Sequence, residues 1–207
     1  MTTKAVRFWD RVSKLSRVPE PLGPTASQTL AAAQPYLSAE SRVLDVGCGT
    51  GSLTVAIARH VASVHAIDSA AGMVAATQAN AASQRTLNVQ AAQGELADWA
   101  ADGETFSMVT MFNVLHYIHD VPEAARQVEK RLLPGGLFLS ATACLGERRS
   151  FIRGLTWLLR RLRIMPGMHI FKQAELTALI EQGGFQVVAV TRLSSLPEYF
   201  IVARKVA

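Results

Sequence analysis

The sequence predicts an α/β fold, a doubly wound and mostly parallel sheet of seven strands with helices on both faces. Short apolar runs rich in Val, Ile and Leu alternate with Ala-rich helical stretches from residue 42 onward. The first run closes on a glycine-rich turn, Gly47-Cys48-Gly49-Thr50-Gly51, which opens a helix. The last two strand-like runs are joined by a short link, so they pair antiparallel at one edge.

In order, residues 4–17 read as a helix, broken by Pro19, Pro21 and Pro24, because proline lacks the N–H that a helix interior needs. Residues 25–37 form a second helix that ends around Pro35. The strand 42–46 leads through the glycine turn to a helix at 53–61, and the strand 63–68 leads to a helix at 70–82. Strands follow at 87–92 and 106–113, then a helix near 121–132 that stops at Pro134-Gly135-Gly136. A fifth strand at 137–143 precedes a basic helix at 148–163 and a helix at 172–182. Residues 185–190 and 198–205 are the closing strands.

The chain has 207 residues, enough to bury a sizeable core as a single domain over 1–207. Its expected parts are an N-terminal helical cap over about 1–38 and a lid insertion over about 144–171. Hydrophobic residues make up 49% and charged residues 18%, which excludes a disordered chain. The longest apolar runs fall short of a membrane span, and the charged start MTTKAVRFWDRVSK has no apolar signal region. Two cysteines, Cys48 and Cys144, make neither a disulfide framework nor a metal cluster, so a reducing cytoplasm is expected. The net charge of +5 is uneven: residues 40–140 carry six Lys/Arg against ten acids, and residues 141–207 carry ten against four. A basic end alone is weak support for nucleic-acid binding.

Ligands of such sheets sit beyond the carboxyl ends of the strands. There the sequence reads Asp45-Val46-Gly47-Cys48-Gly49-Thr50-Gly51. Glycines let the backbone turn sharply and let a ligand approach with no Cβ in the way. The third glycine comes one residue earlier than in the dinucleotide fingerprint, and Asp45 would repel a diphosphate while suiting a ligand with an amino group.

DVGCGTG resembles the first motif of the class I S-adenosylmethionine-dependent methyltransferases, of the small bacterial methyltransferase-domain type, and the resemblance runs from about residue 40 to the C-terminus. Asp68 and Met73 resemble that family's D-x-S-x-x-M, with Ala70 in place of its Ser, and Leu132-Leu133-Pro134-Gly135-Gly136 resembles its L-x-P-G-G. The resemblance implies a Rossmann-like sheet of order 3-2-1-4-5-7-6 with strand 7 antiparallel. It implies S-adenosylmethionine as cofactor, S-adenosylhomocysteine as product, and no metal. Asp45, Gly47 and Gly49 would hold the methionine end, with Cys48 and Gly51 of the same loop among the cofactor-binding residues and Asn113 adding a backbone or amide contact. Asp68, beside Ser69, would accept the ribose hydroxyls or cap the following helix, and the two roles are compatible. Met73 would pack on adenine or in the core, Glu95 would accept the adenine amino hydrogen or lie in solvent, and Leu96 would offer its N–H to the ring.

The region Asn113-Val114-Leu115-His116-Tyr117 lacks the Pro-Pro-aromatic signature of adenine N6-methyltransferases, and Cys144 lacks the preceding proline of RNA cytosine C5 enzymes. His116 is a candidate general base, with an ordinary pKa near 6.5, or a residue that bonds or packs under the cofactor. Phe8 and Trp9 would close over acceptor or cofactor, or pin the first helix to the body, and Tyr117 is a further acceptor contact. In the insertion, Phe151, Leu155, Leu158 and Leu162 share one face, and Arg149, Arg153, Arg160 and Arg163 another. That helix reads as a lid, with a peripheral membrane contact or a phosphate-binding face as alternatives.

The expected reaction is methyl transfer to O, N or S of a small apolar or aromatic molecule by in-line displacement. A tRNA-modifying methyltransferase and a non-catalytic cofactor-binding protein are the alternatives.

Overall fold

The structure is a computed structural model in which residues 3–97, 104–147 and 167–206 are described. The expected basic helix at 148–163, and with it most of the lid insertion, lies outside the described residues.

Seven strands run β1 (Arg42–Val46), β2 (Ser63–Asp68), β3 (Val89–Gln93), β4 (Phe106–Phe112), β5 (Leu132–Ala143), β6 (Phe185–Arg192) and β7 (Glu198–Lys205). The helices are α1 (Thr3–Ser13), α2 (Pro24–Ala33), α3 (Ser52–Ala58), α4 (Ala71–Ser83), α5 (Val121–Arg131) and α6 (Gln173–Glu181). The sheet order is β3-β2-β1-β4-β5-β7-β6, as the resemblance implied. The five strands β1–β5 pair parallel, and β7 pairs antiparallel with both β5 and β6.

Strand side chains alternate across the sheet, so each strand feeds two cores. Leu44, Val46, Val109, Met111, Phe138 and Ile201 face one side, where Val121, Ala125 and Val128 of α5 and Leu176 and Ile180 of α6 cover them. Val43, Val64, Phe112, Leu139, Phe200 and Val202 face the other, against Ala33 of α2 and Ile57 and Ala58 of α3.

Where boundaries depart from expectation, the causes are local. α1 stops at Ser13, whose hydroxyl donates back to the Asp10 carbonyl at 2.9 Å, a bond that competes with the helical ladder. α2 stops at Ala33 and passes into a 3₁₀ turn, Gln34–Tyr36, because Pro35 has no N–H to give. β3 starts two residues late, at Val89, because residues 87–88 form the turn that leads into it, with Leu87 95% exposed. α5 ends at Arg131 and β5 begins at once with Leu132 opposite Phe106. The register then jumps, Met108 facing Leu137, so Pro134-Gly135-Gly136 bulges inside the strand instead of preceding it.

Candidate active site

The carboxyl ends of β1 and β4, where the strand order reverses, open into a cavity of about 640 Å³. Its floor is the turn after β1. Gly47 and Gly49 have φ of +75° and +58°, which an L side chain rarely adopts, and a Cβ on Gly47 would collide with Val114. A Cβ on Gly49 would meet nothing within 4 Å, so its absence leaves open space at the wall instead of relieving a clash. Gly51, at φ +82°, stands behind the wall: its Cβ would lie 2.8 Å from the Thr77 Cα, and it lets α3 pack on α4.

Two carboxylates mark the floor. Asp45 is 3% exposed, and its oxygens accept the Thr54 hydroxyl at 2.6 Å and the Thr110 hydroxyl at 2.7 Å. Burial pushes its pKa above the ordinary carboxylate value despite those bonds. Asp68, at the end of β2, accepts from the Gly49 N–H at 3.1 Å and the Ala70 N–H at 2.9 Å. It therefore braces the glycine turn and serves the start of α4 at once. Burial raises its pKa too, and the Asp10 charge adds to the rise.

Of the predicted residues, Asp45, Gly47, Cys48, Gly49, Asp68, Ser69, Met73, Glu95, Leu96 and Asn113 line this cavity, with Trp9 and Tyr117. Met73 is buried at its edge, and the Leu96 carbonyl is held by Arg131 at 2.6 Å. Cys48 accepts the Thr77 hydroxyl at 3.4 Å, and burial raises its thiol pKa far above the ordinary value. Asn113 closes β4 in the left-handed region, φ +59°.

Phe8, Gly51 and His116 are not part of the wall. Phe8 instead packs edge-on to Trp9, ring centroids 5.0 Å apart. His116 sits on a 3₁₀ turn, Leu115–Tyr117, that aims its ring inward at 5% exposure, with Nδ1 lacking a hydrogen-bond partner. Burial lowers its pKa to about 4, so it is neutral at pH 7 and a weak base. Its neighbour Tyr117 takes the wall position and meets Trp9 edge-on at 5.6 Å.

Sequence reasoning did not place Leu53, Phe112, Ile118, His119 or Asp120 in the wall. Phe112 carried a signal, being next to Asn113 at a strand end. Asp120 also caps α5, accepting the Glu123 N–H at 2.9 Å. Among the described residues, no group of three His, Cys, Asp or Glu side chains gathers in metal-binding geometry.

The model of the methyltransferase domain matches residues 20–190. The chain belongs to the class I S-adenosylmethionine-dependent methyltransferases. Among its relatives is a protein of Coxiella burnetii named ubiquinone biosynthesis O-methyltransferase, 27% identical over 163 residues, covering 75% of this chain and 68% of the relative. A protein of the same name from Methylobacterium nodulans is 30% identical over 154 residues, covering 72% of this chain and 61% of the relative. The geranyl diphosphate C-methyltransferase of Streptomyces coelicolor, solved with Mg2+, geranyl diphosphate and S-adenosylhomocysteine, superposes with a TM-score of 0.72 at 14% identity. That superposition covers 87% of this chain and 79% of that one, and shows a shared fold.

The donor set suits the methyltransferase cofactor. The buried Asp45 carboxylate has no cationic partner among the described residues, a charge that a sulfonium or an ammonium would supply, and the half-buried Asp68 at the end of β2 lies at the cavity wall, where it could accept hydroxyls. The wall at Gly49 has room for a ligand to lie against backbone.

Proposed function

We propose that this methyltransferase acts on a hydroxyl oxygen of a small aromatic molecule, and that the residues assigned above to the cofactor hold it as described. One observation carries the acceptor class. The cavity is lined by Trp9 and Tyr117, in edge-to-face contact, and by Phe112 and Ile118. Aromatic pairs of this kind favour a flat apolar guest. Relatives named O-methyltransferases favour oxygen over nitrogen or sulfur.

S-adenosylmethionine would supply an activated methyl group on a sulfonium for in-line transfer to the acceptor oxygen, the C–S electron pair staying on sulfur and the hydroxyl proton leaving to solvent. The residues of this chain do positional work. Asp68 holds hydroxyls at the end of β2, Met73 and Leu96 flank a planar ring, and Asp45 sets a negative potential beneath the floor. Trp9 and Tyr117 line the acceptor side. Holding two reactants in line is worth up to about 7–11 kcal/mol of the barrier, so a general base is not required. His116, turned away from the wall with a pKa of about 4, is not proposed as that base.

Calorimetric titration with S-adenosylmethionine and S-adenosylhomocysteine, followed by transfer of labelled methyl to catechol, alkylphenols, aryl amines and thiophenols, tests this reading. Turnover confined to the phenols is expected. Turnover of amines or thiols alone would move the acceptor atom, and tight binding with no turnover would leave a cofactor-binding protein.

A further inference from the structure

A second cavity, of about 480 Å³, runs along α3. Ser52, Ala56 and Arg59 line it at i, i+4 and i+7, so they share one face of that helix and its end. Pro19, Pro21 and Leu22, from the segment that links α1 to α2, line its other side together with Arg17. Ser52 lines the main cavity as well, next to Leu53. Leu53 packs against the core cluster that holds Phe112, so the two cavities share Ser52 on the side of the sheet where that aromatic residue lies.

The linking segment is tied to the body. The Glu20 N–H donates to Oδ1 of the buried Asn80 at 3.0 Å, and the same oxygen accepts from Gln84 Nε2 at 2.8 Å. Gln84 Oε1 in turn accepts from Arg59 at 2.6 Å, so one chain of amides seats the segment and holds the Arg59 guanidinium. Arg17 and Arg59 form no ion pair among the described residues. Glu20 also lines the cavity, its Oε2 accepting the Arg17 N–H at 3.0 Å, which leaves two cations against one carboxylate. The main cavity is the reverse: Asp45, Asp68, Glu95, Asp120 and Glu123 line it, and among the described residues no Lys or Arg does.

We propose that the second cavity is a subsite for the tail of the acceptor, an apolar chain that ends in a carboxylate bound by Arg17 and Arg59. The proposal rests on the hydroxyl reading above and extends it to the rest of the acceptor molecule. An anionic group on the acceptor meets acids in the main cavity and arginines in the second, so charge sorts the two ends of the molecule. The planar fork of a guanidinium presents paired N–H donors that match a carboxylate. Pro19, Leu22 and Ala56 give the chain between ring and carboxylate an apolar path. From Ser52 to Arg59 the helix rises about 10 Å, which sets the length of that chain.

The probes are catechol, a catechol bearing an octanoate chain, and the methyl ester of that acid. With wild-type protein the acid should show a KM about tenfold below that of its ester, the effect of a charge-assisted hydrogen bond. In the double variant Arg17→Ala, Arg59→Ala the KM of the acid should rise to that of the ester. Catechol turnover and affinity for S-adenosylhomocysteine should stay within about twofold, since neither ligand reaches the arginines. Octanoate alone should compete with the acid. An acid no better than its ester, or an advantage that survives in the double variant, would overturn the proposal. Octanoate inhibition that is not competitive would also overturn it, making the cavity a separate anion site. If wild-type protein methylates no phenol, the acceptor class falls. Calorimetric titration with the octanoate-bearing catechol then still decides the subsite, because equal binding to wild type and double variant would refute it.

Discussion

The Asp10 carboxylate of α1 accepts the backbone N–H of Gly72, in the first turn of α4, at 2.9 Å. α4 lacks a capping side chain of its own, Ala70 standing at that position. A negative group at a helix N-terminus is favourable, and here it comes from 62 residues away in sequence. The approach is close: a Cβ on Gly72 would collide with the Ser13 hydroxyl. This link fixes α1 where Trp9 reaches the cavity wall.

Asp10→Ala should release that link and cost about 1 kcal/mol of stability, as loss of a helix cap does. Near-ultraviolet circular dichroism should lose the signal of the Trp9–Tyr117 contact. Asp10→Asn keeps an acceptor oxygen and should hold the contact. If Asp10→Ala leaves the spectrum unchanged, packing alone seats α1.

The glycines of the turn separate by purpose. Gly49→Ala should cost about 1 kcal/mol for its left-handed backbone, yet strongly weaken S-adenosylhomocysteine binding, because the new methyl meets only open space at the cavity wall. Gly51→Ala puts a methyl 2.8 Å from the Thr77 backbone and should lower the melting temperature far more than Gly49→Ala does. Melting curves with and without S-adenosylhomocysteine check both. Equal melting temperatures for the two variants would contradict the division.

Asp68→Ala should weaken S-adenosylhomocysteine binding by about 1–3 kcal/mol through loss of charge-assisted hydrogen bonds. Acceptance of hydroxyls needs the ionised carboxylate, and the Asp68 pKa lies above the ordinary value. Affinity therefore falls as pH drops through that raised pKa, earlier than for an ordinary aspartate. Calorimetry from pH 7 downward should show this decline in wild type and a flatter profile in Asp68→Ala.

The His116 pKa is lower in the folded chain, about 4, than its unfolded value near 6.5. Between those values the unfolded chain binds the extra proton, so this group's contribution to stability is intact above pH 6.5 and is lost as pH falls toward 4. The slope approaches about 1.4 kcal/mol per pH unit. Urea unfolding of wild type and His116→Gln at pH 7, 6, 5 and 4 should show the wild type losing ground relative to the variant. The kcat/KM profile should show no limb near 6.5 that vanishes in His116→Gln.

The succession of strands and helices, the glycine turn and Asp68 were legible in the sequence because each is written locally: alternation for the strands, three glycines for the turn, an acid at a strand end; the order of the strands came from the family resemblance. What was not legible depends on direction or distance. His116 and Tyr117 are adjacent, and only the 3₁₀ turn, at 120° per residue, decides which faces the cavity. The bond from the Gly72 N–H to the Asp10 carboxylate joins α4 to α1 across 62 residues of sequence, and no periodicity announces it. The Pro134-Gly135-Gly136 bulge was read as a helix stop because the residues that end a helix also kink a strand.

That bulge lies at the amino edge of the sheet, at the far end of β5 from the cavity. Leu133, Pro134 and Gly135 are exposed there, and a Cβ on Gly135 meets nothing within 4 Å. Gly136 is the tight position, so the chain is best opened between Pro134 and Gly135. A reporter module spliced at that point would ride on the back of the molecule, leaving the β5–β7 ladder and the entrance for small molecules untouched.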